Sequence, residues 1–256
     1  MKLVVFGLAM SSSWGNGHAT LWRALARGLE RRGHSLTFFE RDVPYYRQHR
    51  DLWELEGESR LVLYEDWSQV RVEAASALRH ADIGMVTSYC PDAISAMSAL
   101  FDAPLGVRAF YDLDTPVTLA ALDAGRDVWY VPANGFADFD LVLSFTGGTS
   151  LDALKSRLHA RQVAPLYGSV DPDVHRPVPP EACFAADLSY LGTYSADRQR
   201  ALELLFVEPA SRRTDAKFLL GGSQYPAEFP WRPNVFYLPH VAPPDHPAFS
   251  VPRPSL

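Results

Sequence analysis

Apolar and polar positions alternate in blocks along this chain. Leu3–Leu8 is an unbroken apolar run and reads as a buried strand. His18–Arg32 carries Leu21, Leu25, Ala26 and Leu29 on one face at helical spacing, and Gly33 ends it. Ser35–Phe39 and Arg60–Tyr64 read as the next strands, with a helix over Ser68–Arg79. Asp82–Thr87 predicts a strand and Pro91–Phe101 a helix with proline near its start. Further strands are expected over Leu105–Tyr111, Asp140–Phe145 and Arg161–Leu166, with a helix over Ser150–Leu158. Continuous apolar strands alternating with helices mean crossover units on a parallel sheet covered on both faces.

The pattern then breaks. "YGSVDPDVHRPVPPEACFAAD", Tyr167–Asp187, is rich in Pro and Asp and has no period. It predicts a linker at residues 167–187 between a domain over 1–166 and a second unit over 188–256. In that unit the α/β pattern restarts, with strands over Leu188–Leu191, Lys217–Leu220 and Val235–Leu238 and a mostly helical Ser195–Arg213.

Composition narrows the partners. The chain has 256 residues, 47% hydrophobic and 21% charged, with a net charge of −6. That charge gives no reason to expect nucleic acid as a partner. Two isolated cysteines, Cys90 and Cys183, do not make a disulfide framework or a zinc site, and they fit a reduced cytoplasm. No apolar stretch approaches the roughly 20 residues of a transmembrane helix.

Candidate chemistry sits where strands end, since open parallel sheets bind ligands at their carboxyl edge. "SSSWGNGHATLWRAL" follows the first strand. Ser13, Gly15, Asn16 and Gly17 can approach a ligand closely, and His18 stands at a helix start, where a neutral imidazole suits a general base. The same residues fit a turn with a capping histidine. The spacing is not Gly-x-Gly-x-x-Gly, which speaks against a nucleotide-dependent oxidoreductase. In "FYDLDTPVTLAAL", Asp112 and Asp114 follow a strand and can orient a hydroxyl or take its proton; capping and loop roles fit them slightly better. Thr115 is a candidate cap. Ser88 and Tyr89 end another strand, Cys90 beside them reads as packing, and Thr146 and Gly147 open a Gly-Gly turn able to hold an oxygen or phosphate. In "YLGTYSADRQRAL", Gly192, Thr193, Tyr194 and Ser195 offer donors, and Arg198 follows one turn on; such a set suits a diphosphate, or leaves Arg198 as a solvated helix residue.

The stretches "GLAMSSSWGNGHATLWRALARGLERRGHSLTFFERDVPYY", "LYGSVDPDVHRPV", "ADLSYLGTYSADRQRALE" and "NVFYLPHVAPPDHPAF" resemble bacterial GT-B glycosyltransferases of the CgeB-like (spore-maturation-protein-like) group. The resemblance implies two Rossmann-like domains facing across a cleft, the first for an acceptor and the second for a nucleotide-sugar. The nucleotide-sugar would be a co-substrate, with no cofactor and no bound metal. It implies His18 or an aspartate as the base and Gly192–Ser195 near the donor phosphates. The fold class expected is α/β, one complete Rossmann-like domain plus part of a second. The family's donor domain continues through further strand–helix units, including a glutamate-containing stretch for the donor's ribose and sugar. Here "HPAF" is followed by "SVPRPSL", which resembles out-of-frame GC-rich coding. The expectation is a C-terminally truncated glycosyltransferase; the alternative is an inactive remnant acting at most as a ligand-binding module.

Overall fold

The structure is a computed structural model and describes residues 1–251. Residues 252–256, the end of the tail read as out of frame, lie outside the described residues. The chain divides into two compact units. The first joins Met1–Ser12 to Leu21–Ser169; the second joins Ser13–Thr20 to the chain from Val170 onward.

The first unit is built on a seven-stranded parallel sheet of β1 (Lys2–Gly7), β2 (Ser35–Arg41), β3 (Arg60–Tyr64), β4 (Ile83–Thr87), β5 (Val107–Asp112), β6 (Leu141–Ser144) and β7 (Val163–Pro165). Their order is β3-β2-β1-β4-β5-β6-β7. The chain doubles back between β1 and β4, which is the switch point where such sheets open a crevice. Helices α1 (Gly17–Glu30), α2 (Pro44–Arg47), α3 (Trp67–Arg79), α4 (Ala93–Phe101), α5 (Thr115–Asp123) and α6 (Thr149–Leu158) connect the strands. Successive strand residues feed opposite cores. Val4, Phe6, Phe39, Val86 and Phe110 pack on one face, while Val5, Phe38, Met85, Ala109 and Tyr111 pack on the other. Two-sided burial is why the strands read as continuous apolar runs. Each fully buried Phe contributes about 1.5–3 kcal/mol from apolar area alone.

The second unit holds a three-stranded parallel sheet, β8 (Leu188–Leu191), β9 (Phe218–Gly221) and β10 (Val235–Leu238), in the order β10-β9-β8. Phe206, Ala210, Phe218 and Leu220 centre one core, and Leu219, Val241 and Phe249 the other. The helix expected over Ser195–Arg213 is interrupted. A 3-10 turn (Ala196–Arg198) leads to α7 (Gln199–Leu202), then to a π-helical stretch (Glu203–Val207) and α8 (Glu208–Arg212). Pro209 has no N–H to donate and its ring presses on the turn before it, so that turn widens. The short α9 (His246–Phe249) closes the second core.

β4 and β6 each start one residue later than expected, and the aspartate left out explains why; Asp187 before β8 plays the same part. Asp82, Asp140 and Asp187 stand just before β4, β6 and β8. Each accepts a backbone N–H of the neighbouring strand, from Lys2 at 2.7 Å, Arg108 at 2.8 Å and Lys217 at 2.7 Å. The aspartates therefore cap their neighbours instead of extending their own strands. Asp66 likewise caps α3, accepting from Ser68 N at 2.9 Å.

Candidate functional site

In the first unit the carboxyl ends of β4, β5 and β6 bring together Ser88, Tyr89, Asp112, Asp114, Thr146 and Gly147. Leu113 N donates to Ser88 Oγ at 2.9 Å and Ser88 N to the Tyr111 carbonyl at 3.0 Å, tying the β4 and β5 ends. Phe145 N donates to the Asp112 carbonyl at 2.9 Å, tying β5 to β6. Asp112 is fully buried. Its Oδ1 accepts from Asp114 N and Thr118 Oγ1, both at 3.1 Å. Its Oδ2 has no hydrogen-bond partner. Burial pushes its carboxyl above the usual range, against the lowering pull of the Asp114 amide and nearby hydroxyls. Asp114 is half-buried at the entry to α5 and forms no side-chain cap there.

Thr115, expected as a cap, is instead the first residue of α5. Its hydroxyl lies 2.7 Å from Ser144 Oγ, which stands 3.2 Å from Thr146 Oγ1 and accepts from Thr146 N at 3.1 Å. Thr118 Oγ1 is also 3.0 Å from the Tyr130 hydroxyl. Tyr89 has φ 64°, a left-handed conformation costly for any residue with a Cβ. Its ring meets Tyr130 at 5.2 Å between centroids, edge to face. Cys90 is fully buried, and desolvation pushes its thiol up to about 12, so it is packing and not a nucleophile. Gly147 packs under Tyr167, whose hydroxyl would collide with a Cβ there.

Sequence reasoning passed over Glu40 at the end of β2. It is fully buried and accepts from Met10 N at 2.8 Å, Ser11 N at 2.9 Å and Ser11 Oγ at 2.5 Å. This holds the start of the loop after β1. Desolvation raises its carboxyl, opposed by those bonds and by the Arg50 charge. The signal was present in "LTFFER", a carboxylate directly after two aromatic core residues.

The second unit holds the other candidates. Gly15 has φ 60°, so glycine suits that turn of the glycine-histidine loop. Asn16 is buried; its Oδ1 accepts from His18 N at 3.2 Å, and its carbonyl from Ala19 N at 3.2 Å. Ser13 and Gly17 flank it, the Ser13 carbonyl accepting from Asn16 N at 3.2 Å. His18, second residue of α1, is half-buried, and desolvation lowers its pKa. Burial thus favours the neutral imidazole. Trp14 meets the His240 ring at 4.9 Å.

Gly192, Thr193, Tyr194 and Ser195 follow β8. Gly192 N donates to the Gly221 carbonyl and Tyr194 N to the Ser223 carbonyl, each at 2.9 Å. These two amides are thus taken within the sheet edge. Gly222 has φ 136° and lies so close to Gly192 that any Cβ would strike its carbonyl. Tyr225 donates to that carbonyl at 3.0 Å. Ser223 Oγ is buried without a partner. Ser195 gives its hydroxyl to Asp197, which lowers that carboxyl. Arg198 is exposed and lines an apolar groove with Leu188, Tyr190 and Leu205. Among the described residues, no three His, Cys, Asp or Glu side chains group as a metal site, and no helix is long and apolar enough to cross a membrane.

No protein-family model and no curated protein matches this chain. Solved structures do share its architecture. One is an alpha-glucosyltransferase in complex with UDP and a 13-mer DNA containing an HMU base, at TM-score 0.55 and 15% identity, over 89% of this chain and 58% of that one. Another is an alpha-glucosyltransferase in complex with UDP, at TM-score 0.54 and 13% identity, over 89% of this chain and 60% of that one. A glycotransferase of kitacinnamycin aligns at TM-score 0.48 and 15% identity, over 94% of this chain and 71% of that one. This chain spans about three fifths of the length of the first two. At such identities the likeness is one of fold: α/β, a seven-stranded and a three-stranded parallel sheet, as in these glycosyltransferases.

Proposed function

We propose that this chain transfers a sugar from a nucleotide-sugar donor to an acceptor hydroxyl, as a member of the CgeB-like group that its sequence resembles. The observation that carries the reading is the carboxyl edge of β8 and β9. There Gly192 and Gly222 press two loops together beside an unpartnered buried hydroxyl, Ser223, in a fold of which two solved examples hold UDP. In this reading Thr193, Ser195 and Arg198 meet the donor diphosphate, and its charge is answered by these groups without a bound metal or cofactor. His18, neutral through burial, takes the acceptor proton. In the first unit, Asp114 with Ser88, Tyr89, Thr146 and Gly147 can hold a hydroxyl-bearing ligand, and Asp112 holds the Asp114 backbone. Both cysteines are free, consistent with the cytoplasm as its place.

The test is calorimetric titration with UDP, GDP and UDP-glucose, alongside a thermal melt. Saturable UDP binding and a Tm that climbs with UDP are expected, with Arg198→Ala weakening binding about tenfold. A cooperative melt with neither heat nor Tm shift from any of the three ligands ends the proposal. A binding-only module is the second reading, favoured by Leu188 and Leu191, which remain exposed on β8. UDP binding with no transfer to any acceptor tried would favour it.

A further inference from the structure

A second pocket lies in the first unit, at the ends of β2 and β3, with Pro91 following the end of β4. It is a surface depression of ≈ 440 Å³, wide open to solvent. That volume is within the range of about 300–1,000 Å³ for small-molecule sites. Its polar lining is Arg41, Asp42, Arg47 and Glu65. Arg47 Nε reaches Asp42 Oδ2 at 2.9 Å and its Nη2 reaches Glu65 Oε1 at 2.9 Å. Arg41 Nη1 reaches Asp92 Oδ1 at 3.1 Å, and its Nε donates to the Glu65 carbonyl at 3.1 Å. Behind them Arg50, its side chain 7% exposed, holds Asp42 Oδ1 at 2.5 Å.

Two features define what fits. The four lining charges cancel, so neither an anion nor a cation gains net attraction. Yet hydrogen-bonding capacity remains. Among the described residues, no hydrogen bond engages Arg41 Nη2, Arg47 Nη1 or Glu65 Oε2. These donors and this acceptor stand side by side on exposed groups. Val43, Pro44 and Pro91 supply an apolar patch in the same wall.

We propose that this pocket binds a neutral, hydroxyl-rich ring, a saccharide or glycoside. Vicinal hydroxyls both donate and accept, matching a guanidinium beside a carboxylate, and the C–H face of a pyranose packs on the prolines. If the chain is a glycosyltransferase as proposed, the ring is a remote part of the acceptor; the pocket itself does not depend on that reading.

The probes are methyl β-glucoside, methyl α-mannoside and methyl β-galactoside, followed by saturation-transfer NMR. Glucose 1-phosphate and glucosamine serve as charged counterparts, and UDP is titrated into the same samples. At least one neutral glycoside is expected to bind saturably. Arg47→Met and Glu65→Gln, both on exposed side chains, should each weaken it about tenfold while leaving UDP affinity unchanged. Glycoside binding that depends on Arg47 with no UDP binding supports the pocket and sinks the donor reading alone. Failure of all three glycosides to bind, equal binding in both variants, or tighter binding of either charged sugar overturns the pocket.

Discussion

Asp112 and Asp114 stand two positions apart and do different work. Asp112 ends β5 fully buried, with one oxygen bonded and the other without a partner. Its folded pKa is raised, so between its unfolded and folded values the native state binds more protons than the unfolded one. Stability contributed by this group therefore falls as pH rises through that window. Asp112→Asn keeps an oxygen for Asp114 N and Thr118 and removes the buried charge. Urea unfolding should show the variant gaining on wild type as pH rises above about 4; a constant gap would contradict this. Asp112→Ala strands the Asp114 amide and the Thr118 hydroxyl, and should cost about 1–3 kcal/mol at any pH. In sequence the two aspartates are equivalent, since both follow a strand. Only burial separates them, and burial is set by α5 and β6 closing over the β5 end. Glu40 went unread for the same reason, since its partners Met10 and Ser11 lie about thirty positions away.

Among the elements, strands were the most legible. β3, β8 and β10 have the bounds their apolar runs predict. "ADI", "FDL" and "ADL" at Asp82, Asp140 and Asp187 are a repeated signal in plain sequence, one capping device used in both units. Helix interiors were harder. The apolar pattern over Ser195–Arg213 persists through Pro209, so periodicity alone does not show the π-helical widening. α6 ends on His159 in a left-handed conformation, φ 59°, with its N–H bonded to the Leu154 carbonyl. Glycine is the residue that this terminus favours. His159→Gly should therefore raise stability by about 1 kcal/mol, read by chemical denaturation, because the strain on a Cβ is removed at an exposed site. A loss of stability there would mean the imidazole makes a contact that outweighs the strain.

For the whole molecule, the two sheets differ in depth. β4 and β5 lie inside a seven-stranded sheet with a core on each face. β8 has one strand neighbour and keeps Leu188 and Leu191 exposed. Hydrogen exchange should follow this: amides of β4 and β5 should be the slowest, and those of β8 faster by orders of magnitude. Equal protection in both sheets would show that the three-stranded sheet is stabilised as deeply as the larger one.

The sequence by itself determined the class of this protein. Apolar runs of strand length separated by amphipathic helices can bury their surface only as parallel sheets covered on both faces. Glycine- and hydroxyl-rich turns after the strands then fall at the carboxyl edge. Those are local facts, each written in a stretch of ten to twenty residues. What only the tertiary structure decided is which polar side chains are enclosed. Asp112, Glu40 and Ser223 are buried, Asp114 half-covered and Arg198 exposed, through neighbours far away in the chain. The pocket of Arg41, Asp42, Arg47 and Glu65 likewise exists because parallel register sets the end of β3 beside the end of β2. Proton affinity and hydrogen-bonding capacity depend on that enclosure, so they are properties of the assembled sheet and not of any segment.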